Sequence, residues 1–314
     1  MKKAVDLVNR GNRSESYRLA TKLEYSIDHK FHEFSFIKGM FLISISNIYA
    51  KLEDFTDDER VMDKATLLFD TANMASYNPD ISVRSYRDSI LLISSLVSKI
   101  MLYSKLKQYE KAVKYAERTL DIYNRINAAS LGAGKGRWGR HMYATRHSFH
   151  ILLGSTYFKA QMWDKAQNAF NIALAMRDEG AKMEDSVRLD IYYHLGEIHR
   201  QKGEYAEAED KLNQALTLKD TVSGFGSENK ARLYHTAALV YAERQNIHLA
   251  NQYFDDALLW AEIAYGRNHA QVTPIIRDYL NYLKTEEDYF AQTSRLESRL
   301  SEIEIERTTA SPTY

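Results

Sequence analysis

Small and aromatic residues return at fixed intervals along the middle of this chain. Between His147 and Asp220, Gly154, Tyr157, Ala166, Phe170 and Ala173 are followed by Gly196, His199, Ala208, Leu212 and Ala215. Ala238, Tyr241, Ala250, Phe254 and Ala257 repeat the set once more. Counted from its first member, each set occupies offsets 0, 3, 12, 16 and 19. A strand would alternate with period two, and these spacings do not. They predict two antiparallel helices per set, with small residues where the pair approaches to about 8–10 Å. The large residues then fill the space between successive pairs. The sets start 196 − 154 = 42 and 238 − 196 = 42 residues apart.

Weaker versions of the pattern flank this core. Residues 88–127 carry Ile100, Tyr103, Ala112, Ala116 and Thr119 at the five offsets. In residues 36–78, Ser46 and Tyr49 open a set that Ala65, Phe69 and Ala72 complete seven residues late. The acidic segment EDFTDDER is therefore expected to connect two helices there. Residues 1–34 read as two helices around Gly11, striped by Tyr17, Ala20, Leu23 and Ile27 but with only half of the offsets, which suits an N-terminal capping hairpin. From Ile100 to Gly154 is 54 residues, 12 more than the period, and the excess contains SLGAGKGRWGR. Glycine costs a helix about 1 kcal/mol per residue against alanine, so 130–141 is expected to be a loop inserted between repeats. A last hairpin is expected over 270–306, with Thr273 as N-cap, Pro274 as first helical residue and a stripe of Leu296, Leu300 and Ile303. Residues 307–314 read as a disordered tail.

The offsets resemble those of the tetratricopeptide repeat, and the 42-residue period resembles its kinesin-light-chain type. The resemblance rests above all on residues 147–262. It implies an all-α, tetratricopeptide-type α-solenoid: about six hairpins in a right-handed superhelix, with 1–306 as one domain and the repeats proper over 36–262. In such proteins the first helix of each hairpin lines a concave groove. The positions here are Asn47 and Lys51, then Met101 and Lys105, then Ile151, Ser155, Phe158 and Lys159. Tyr193, Glu197, Arg200 and Gln201 follow, and then Arg232, His235 and Glu243. Members that grip a chaperone's terminal carboxylate place Lys and Asn at two of these offsets, where this chain has Ile43/Asn47, Val97/Met101 and Ile151/Ser155. That clamp is absent. The implied function is a non-catalytic adaptor that holds a peptide segment of a partner protein. The alternative is a regulatory or sensor module of a signalling or transcription system, responding to a peptide or small ligand.

Composition narrows the picture further. With 42 basic and 42 acidic residues the net charge is zero, so nucleic acid and anionic membranes gain no global attraction. The absence of cysteine excludes disulfides and thiolate metal sites. No window approaches the roughly 18 apolar residues of a membrane span, and a cytoplasmic protein without membrane insertion is expected. The oligomeric state stays open. Lys135, Arg137 and Arg140 surround Trp138 in a stretch without acids from Ser130 to His150, a second candidate contact for an acidic partner. GAGKGRW is not a phosphate loop, because Lys135 is followed by Gly136 and not by Ser or Thr. The pairs His147/His150 and His29/His32 lack a third ligand, so neither metal nor cofactor nor catalytic residue is expected.

Overall fold

The computed structural model describes residues 2–31, 36–75, 83–132, 137–178, 183–284 and 289–310. Every regular element among them is an α-helix. They gather into two compact units, Met1–Met142 and Tyr143–Tyr314, where one domain over 1–306 is the expectation from sequence.

One turn, repeated, organises the helices. In the first unit α1 (Lys2–Asn9) and α2 (Arg13–Lys30) meet at Gly11, α3 (Phe36–Lys51) and α4 (Phe55–Ala75) at Glu53, and α5 (Val83–Lys105) and α6 (Tyr109–Gly132) at Lys107. Further on, α7 (Arg137–Lys159) and α8 (Trp163–Asp178) meet at Gln161. In the same way α9 (Asp185–Gln201) and α10 (Tyr205–Leu218) meet at Gly203, and α11 (Ser227–Glu243) and α12 (Ile247–Tyr265) at Gln245. All six central residues have φ between 57° and 78°, the left-handed region. The Met162 N–H donates to the Tyr157 carbonyl and the Gln161 N–H to that of Phe158, both at 2.9 Å. This is the Schellman pattern, which satisfies carbonyls that a helix end leaves open. The first of these bonds recurs onto Leu7, Tyr49, Tyr103, His199 and Tyr241. The main-chain carbonyl of the offset-3 residue is thus the acceptor that closes each first helix. The next residue often caps the following helix: Asn12, Asp54 and Asn246 accept the N–H groups of Glu15, Asp57 and Leu249.

These turns correct the register of two hairpins. Their spacings are 53 − 11 = 42, 107 − 53 = 54, 161 − 107 = 54, 203 − 161 = 42 and 245 − 203 = 42. Ala4, Leu7, Ser16, Ala20 and Leu23 therefore fill the five offsets in the first hairpin, where only half a set is expected. Ser16 Oγ donates to the Ala4 carbonyl at 2.8 Å. In the second hairpin the set is Ser46, Tyr49, Asp58, Met62 and Ala65, and most of EDFTDDER is the opening of α4. The late set Ala65, Phe69 and Ala72 is a decoy. Seven residues make about two turns of helix, so it lies on nearly the same face as the true one.

The glycine-rich loop is also shorter than expected. Helix α6 runs to Gly132 and α7 resumes at Arg137, leaving 133–136 outside the described residues. The extra residues lengthen helices: α4 to α7 have 21, 23, 24 and 23 residues, against 16, 17, 14 and 17 for α8 to α11. Gly139 lies in the first turn of α7, where N–H groups have no intrahelical acceptor to lose. At the end of the chain, α13 (Thr273–Leu283) takes Val272 as its N-cap, so Thr273 is the first helical residue and Pro274 the second. Helix α14 (Phe290–Ala310) covers the first four residues of the expected tail.

Inside the second unit the small residues are required by contact. A Cβ on Gly154 would stand 2.7 Å from the Phe170 ring, and one on Gly196 would stand 2.6 Å from Leu212 Cγ. Offset 0 on one helix faces offset 16 on the next. Phe254 is fully buried and stacks on Tyr279 with ring centroids 4.5 Å apart, joining α12 to α13.

Candidate functional site

Helix α9 places Asp190, Tyr193, His194, Glu197 and Arg200 on one face, three or four residues apart. Helix α11 presents Arg232, His235 and Thr236 to that face, and α13 adds Asp278. Two of the basic side chains there are already engaged within the protein. Arg200 grips Glu197 through two bonds of 2.7 and 2.9 Å, and Gln201 adds a third at 2.7 Å. Burial alone would raise the Glu197 carboxyl, but the Arg200 guanidinium outweighs it and holds the group below the usual carboxylate range. His235 Nε2 lies 3.0 Å from Asp278.

Two cations are not committed. Arg232 lies 5.1 Å over the Tyr193 ring and reaches the Tyr193 hydroxyl only at 3.4 Å. Lys159, the last residue of α7, is exposed and has no ion pair among the described residues. Between them lies an aromatic floor. His194 packs edge-on to Phe158 at 4.7 Å, stacks on Phe170 at 5.3 Å and meets Tyr193 at 5.2 Å. Its Nδ1–H donates to the Asp190 carbonyl at 2.7 Å, leaving Nε2 as an acceptor on the neutral ring. Burial pushes the His194 imidazole below its ordinary value, and the charges of Arg232 and Lys159 push the same way against Asp190. The floor is therefore an uncharged aromatic surface, and Arg232 and Lys159 beside it form no ion pair among the described residues. Beside it, a recess of about 330 Å³ is lined by Arg232, His235, Tyr265, Gln271 and Ile275.

Of the residues expected in a groove, the second unit thus brings together Tyr193, Glu197, Arg200, Arg232 and His235, with Phe158 and Lys159 alongside and Ser155 half-buried one turn away. His194, Asp190, Asp278 and Tyr265 were missed. The run Tyr192-Tyr193-His194 on an amphipathic helix was the available signal for His194. In the first unit Asn47, Lys51 and Lys105 are exposed near the ends of α3 and α5, and neither lysine has an ion pair among the described residues. Lys135 lies outside the described residues. Arg137, Trp138 and Arg140 open α7, and their side chains lie outside the described ones. No cluster of three His, Cys, Asp or Glu able to hold a metal occurs among the described residues, and none of the helices is long and apolar enough to cross a membrane.

Comparison with known proteins bears on the fold. Two family models described as tetratricopeptide repeat match residues 146–221 and 101–128. No curated protein matches the chain. Among solved structures, the crystal structure of BtubC (BKLC) from P. vanneervenii is similar at a TM-score of 0.55 and 17% identity, covering 82% of this chain and 94% of that one. The C-terminal part of a TPR repeat-containing protein from Cytophaga hutchinsonii is similar at a TM-score of 0.52 and 14% identity, covering 96% of this chain and 94% of that one. At such identities the likeness concerns architecture alone: a helical solenoid of paired helices.

Proposed function

We propose that this chain is a non-catalytic adaptor of the tetratricopeptide-repeat kind, whose second unit holds an extended, carboxylate-bearing segment of a partner protein. The observation that carries this reading is the division among the groove cations. Arg200 and His235 already lie against carboxylates, whereas Lys159 and Arg232 flank Phe158, Tyr193 and His194 and form no ion pair among the described residues. A peptide carboxylate would bond to both cations, and a neighbouring apolar side chain would lie on the aromatic floor. A hydrogen bond to a charged group is worth about 1.5–3 kcal/mol, roughly ten- to a hundredfold in affinity. Glu197 and Arg200 hold each other and act as a rigid wall. Asn47, Lys51 and Lys105 offer contacts of the same polar kind on the first unit, and the opening of α7 around Trp138 offers another.

Arrays of capped decapeptides with Glu, Gln or Lys fixed at the centre test this directly. The chain is expected to retain Glu peptides over Gln peptides, and Arg232→Ala to weaken the retained peptides at least tenfold. Retention that ignores the central residue, or that survives Lys159→Ala with Arg232→Ala, would remove the site from this groove.

A further inference from the structure

The second helices of the first unit follow a charge rule. Counted from the left-handed turn residue, positions 7 and 11 are Arg18 and Lys22 in α2, Arg60 and Lys64 in α4, and Lys114 and Arg118 in α6. Two cations four residues apart share one edge of a helix and repel by about 0.2–0.5 kcal/mol unless something answers them. In α4 the preceding helix answers: Arg60 reaches Glu24 through bonds of 2.5 and 2.8 Å, and Lys64 pairs with Asp28. In α6 the same happens one hairpin later. Lys114 lies 3.3 Å from Glu59 and 3.6 Å from Asp63, and Arg118 lies 3.4 Å from Asp63. Both times the acceptors are themselves two carboxylates four residues apart. In both of these stackings a basic edge meets an acidic edge of the hairpin before it.

Helix α2 carries the same basic edge, and no pair of carboxylates answers it among the described residues. Arg18 and Lys22 are exposed and form no ion pair among the described residues. The acids nearest in sequence are already engaged: Glu24 and Asp28 face α4, and Glu15 accepts from the Asn12 side chain that caps the helix. The same flank exposes Tyr25, which is 66% accessible and stacks on His29 at 3.9 Å between centroids. From Lys2 to Phe31 there are seven Lys or Arg and four Asp or Glu, two of them turned to α4. The repulsion that α4 and α6 cancel is left uncancelled here.

We propose that this edge of α2 is a docking surface for a helix of a partner protein bearing two carboxylates four residues apart, seated as α2 itself is seated against α4. The groove proposed above has no part in it. Specificity comes from the spacing: the pair Arg18/Lys22 matches carboxylates one helical turn apart, and the unanswered edge selects such a helix over a neutral one.

The lack of native cysteine makes the test simple. Ser14→Cys puts one thiol on the exposed stripe that continues through Arg18 and Lys22. The full chain is equilibrated under mercaptoethanol with helical 18-residue peptides, each with one cysteine and a Glu/Glu, Gln/Gln or Lys/Lys pair four apart, and the mixed disulfides are counted. Glu/Glu is expected to be captured at least fivefold over Gln/Gln. The preference should vanish in Arg18→Gln with Lys22→Gln, and turn to Lys/Lys in Arg18→Glu with Lys22→Glu. Equal capture of Glu/Glu and Gln/Gln, or of a Glu pair set two apart, would overturn the proposal. So would a dimer in sedimentation that Arg18→Glu with Lys22→Glu abolishes, since the occupant would then be a second copy. Unchanged thermal stability of the Gln variant shows that its loss of capture is not a loss of fold.

Discussion

Asp58 occupies offset 12 of the second hairpin, where Ala112, Ala166, Ala208 and Ala250 stand in later ones. It is fully buried and accepts from Ser46, from Lys99 and, at 3.3 Å, from the Tyr103 hydroxyl. Lys99 is 1% exposed, so Asp58→Ala strands an ammonium and two hydroxyls away from water. Removing one partner of a buried ion pair costs about 3–5 kcal/mol, and near 2–4 °C per kcal/mol the first unit should melt roughly 10 °C lower. The other repeats also supply the rescue. The residue before offset 0 is Lys99 here but Ile45, Leu153 and Leu195 elsewhere, each buried. Asp58→Ala combined with Lys99→Leu therefore replaces a charged pair by the apolar pair the fold uses elsewhere. It should recover most of the loss, or exceed the parent.

Acidity gives a second readout of the same pair. Burial pushes the Lys99 amine below 10.5, and Asp58 opposes that push. An amine with a lowered pKa binds fewer protons folded than unfolded, so stability rises with pH from that lowered value up to 10.5. Without Asp58 the amine falls further, and Asp58→Ala should gain more between pH 7 and 9 than the parent does. Hydrogen exchange on peptides from α3 to α5, followed across pH, separates this unit from the other. The reasoning is refuted if Asp58→Ala opens no faster than the parent, or if the double variant is as weak as the single one.

Gly154→Ala should lower stability by about 1 kcal/mol in thermal unfolding, because the new Cβ meets the Phe170 ring at 2.7 Å. The loss sits near the low end of overpacking, since Ala238 opposite Phe254 shows that such a hairpin can adjust; a gain would contradict the contact. Gln161→Gly and Gln245→Gly, at φ 58° and 57°, should each raise the melting point through about 1 kcal/mol of relieved left-handed strain. Burial pushes the Tyr49 phenol up to about 12, so its stabilising contribution of about 2–3 kcal/mol is whole below pH 10 and lost between pH 10 and 12. Tyr49→Phe should flatten that alkaline loss in a titration followed by tyrosinate absorbance and circular dichroism.

The helix pairs were legible because their signal is geometric: small residues recur where backbones approach, and 42 residues separate them in three of the five intervals. What escaped had a physical cause each time. Asp58 broke the template at a position that reads as alanine elsewhere, and Ala65 imitated the missing member from two turns away. Ser16 hid the first hairpin in the same way, by substituting a hydroxyl that bonds Ala4 for a methyl group. The glycines near 132–139 suggested a loop because each is counted at interior cost, although two of them sit at helix ends. The repeat that survives all these substitutions is the left-handed turn, which accepts Gly, Glu, Lys or Gln and so leaves no composition signal. Among groove residues, offsets found those on the helix edge, such as Tyr193 and Arg232. They missed His194, because offset −2 points toward the next helix as much as toward the groove.

Polar residues in this chain divide by whether the fold has already used them. Inside the first unit, Asp58 and Lys99 lie at positions that are apolar in later hairpins, and Glu24, Arg60, Glu59 and Lys114 answer one another between hairpins. Such pairs add little net stability on an exposed surface, about 0.2–1 kcal/mol each, but a wrong neighbour would set like charges together. They therefore select which hairpin follows which, while the small and large apolar residues that recur at the shared offsets supply the affinity. The same sorting identifies what remains for partners. Arg200, Glu197, His235 and Asp278 are answered within the second unit, whereas Lys159 and Arg232 there, and Arg18 and Lys22 in the first unit, are not. A repeat that stacks through charge at internal edges needs no new chemistry to recognise a partner. It needs only an edge, or a groove, at which the answering charge is missing.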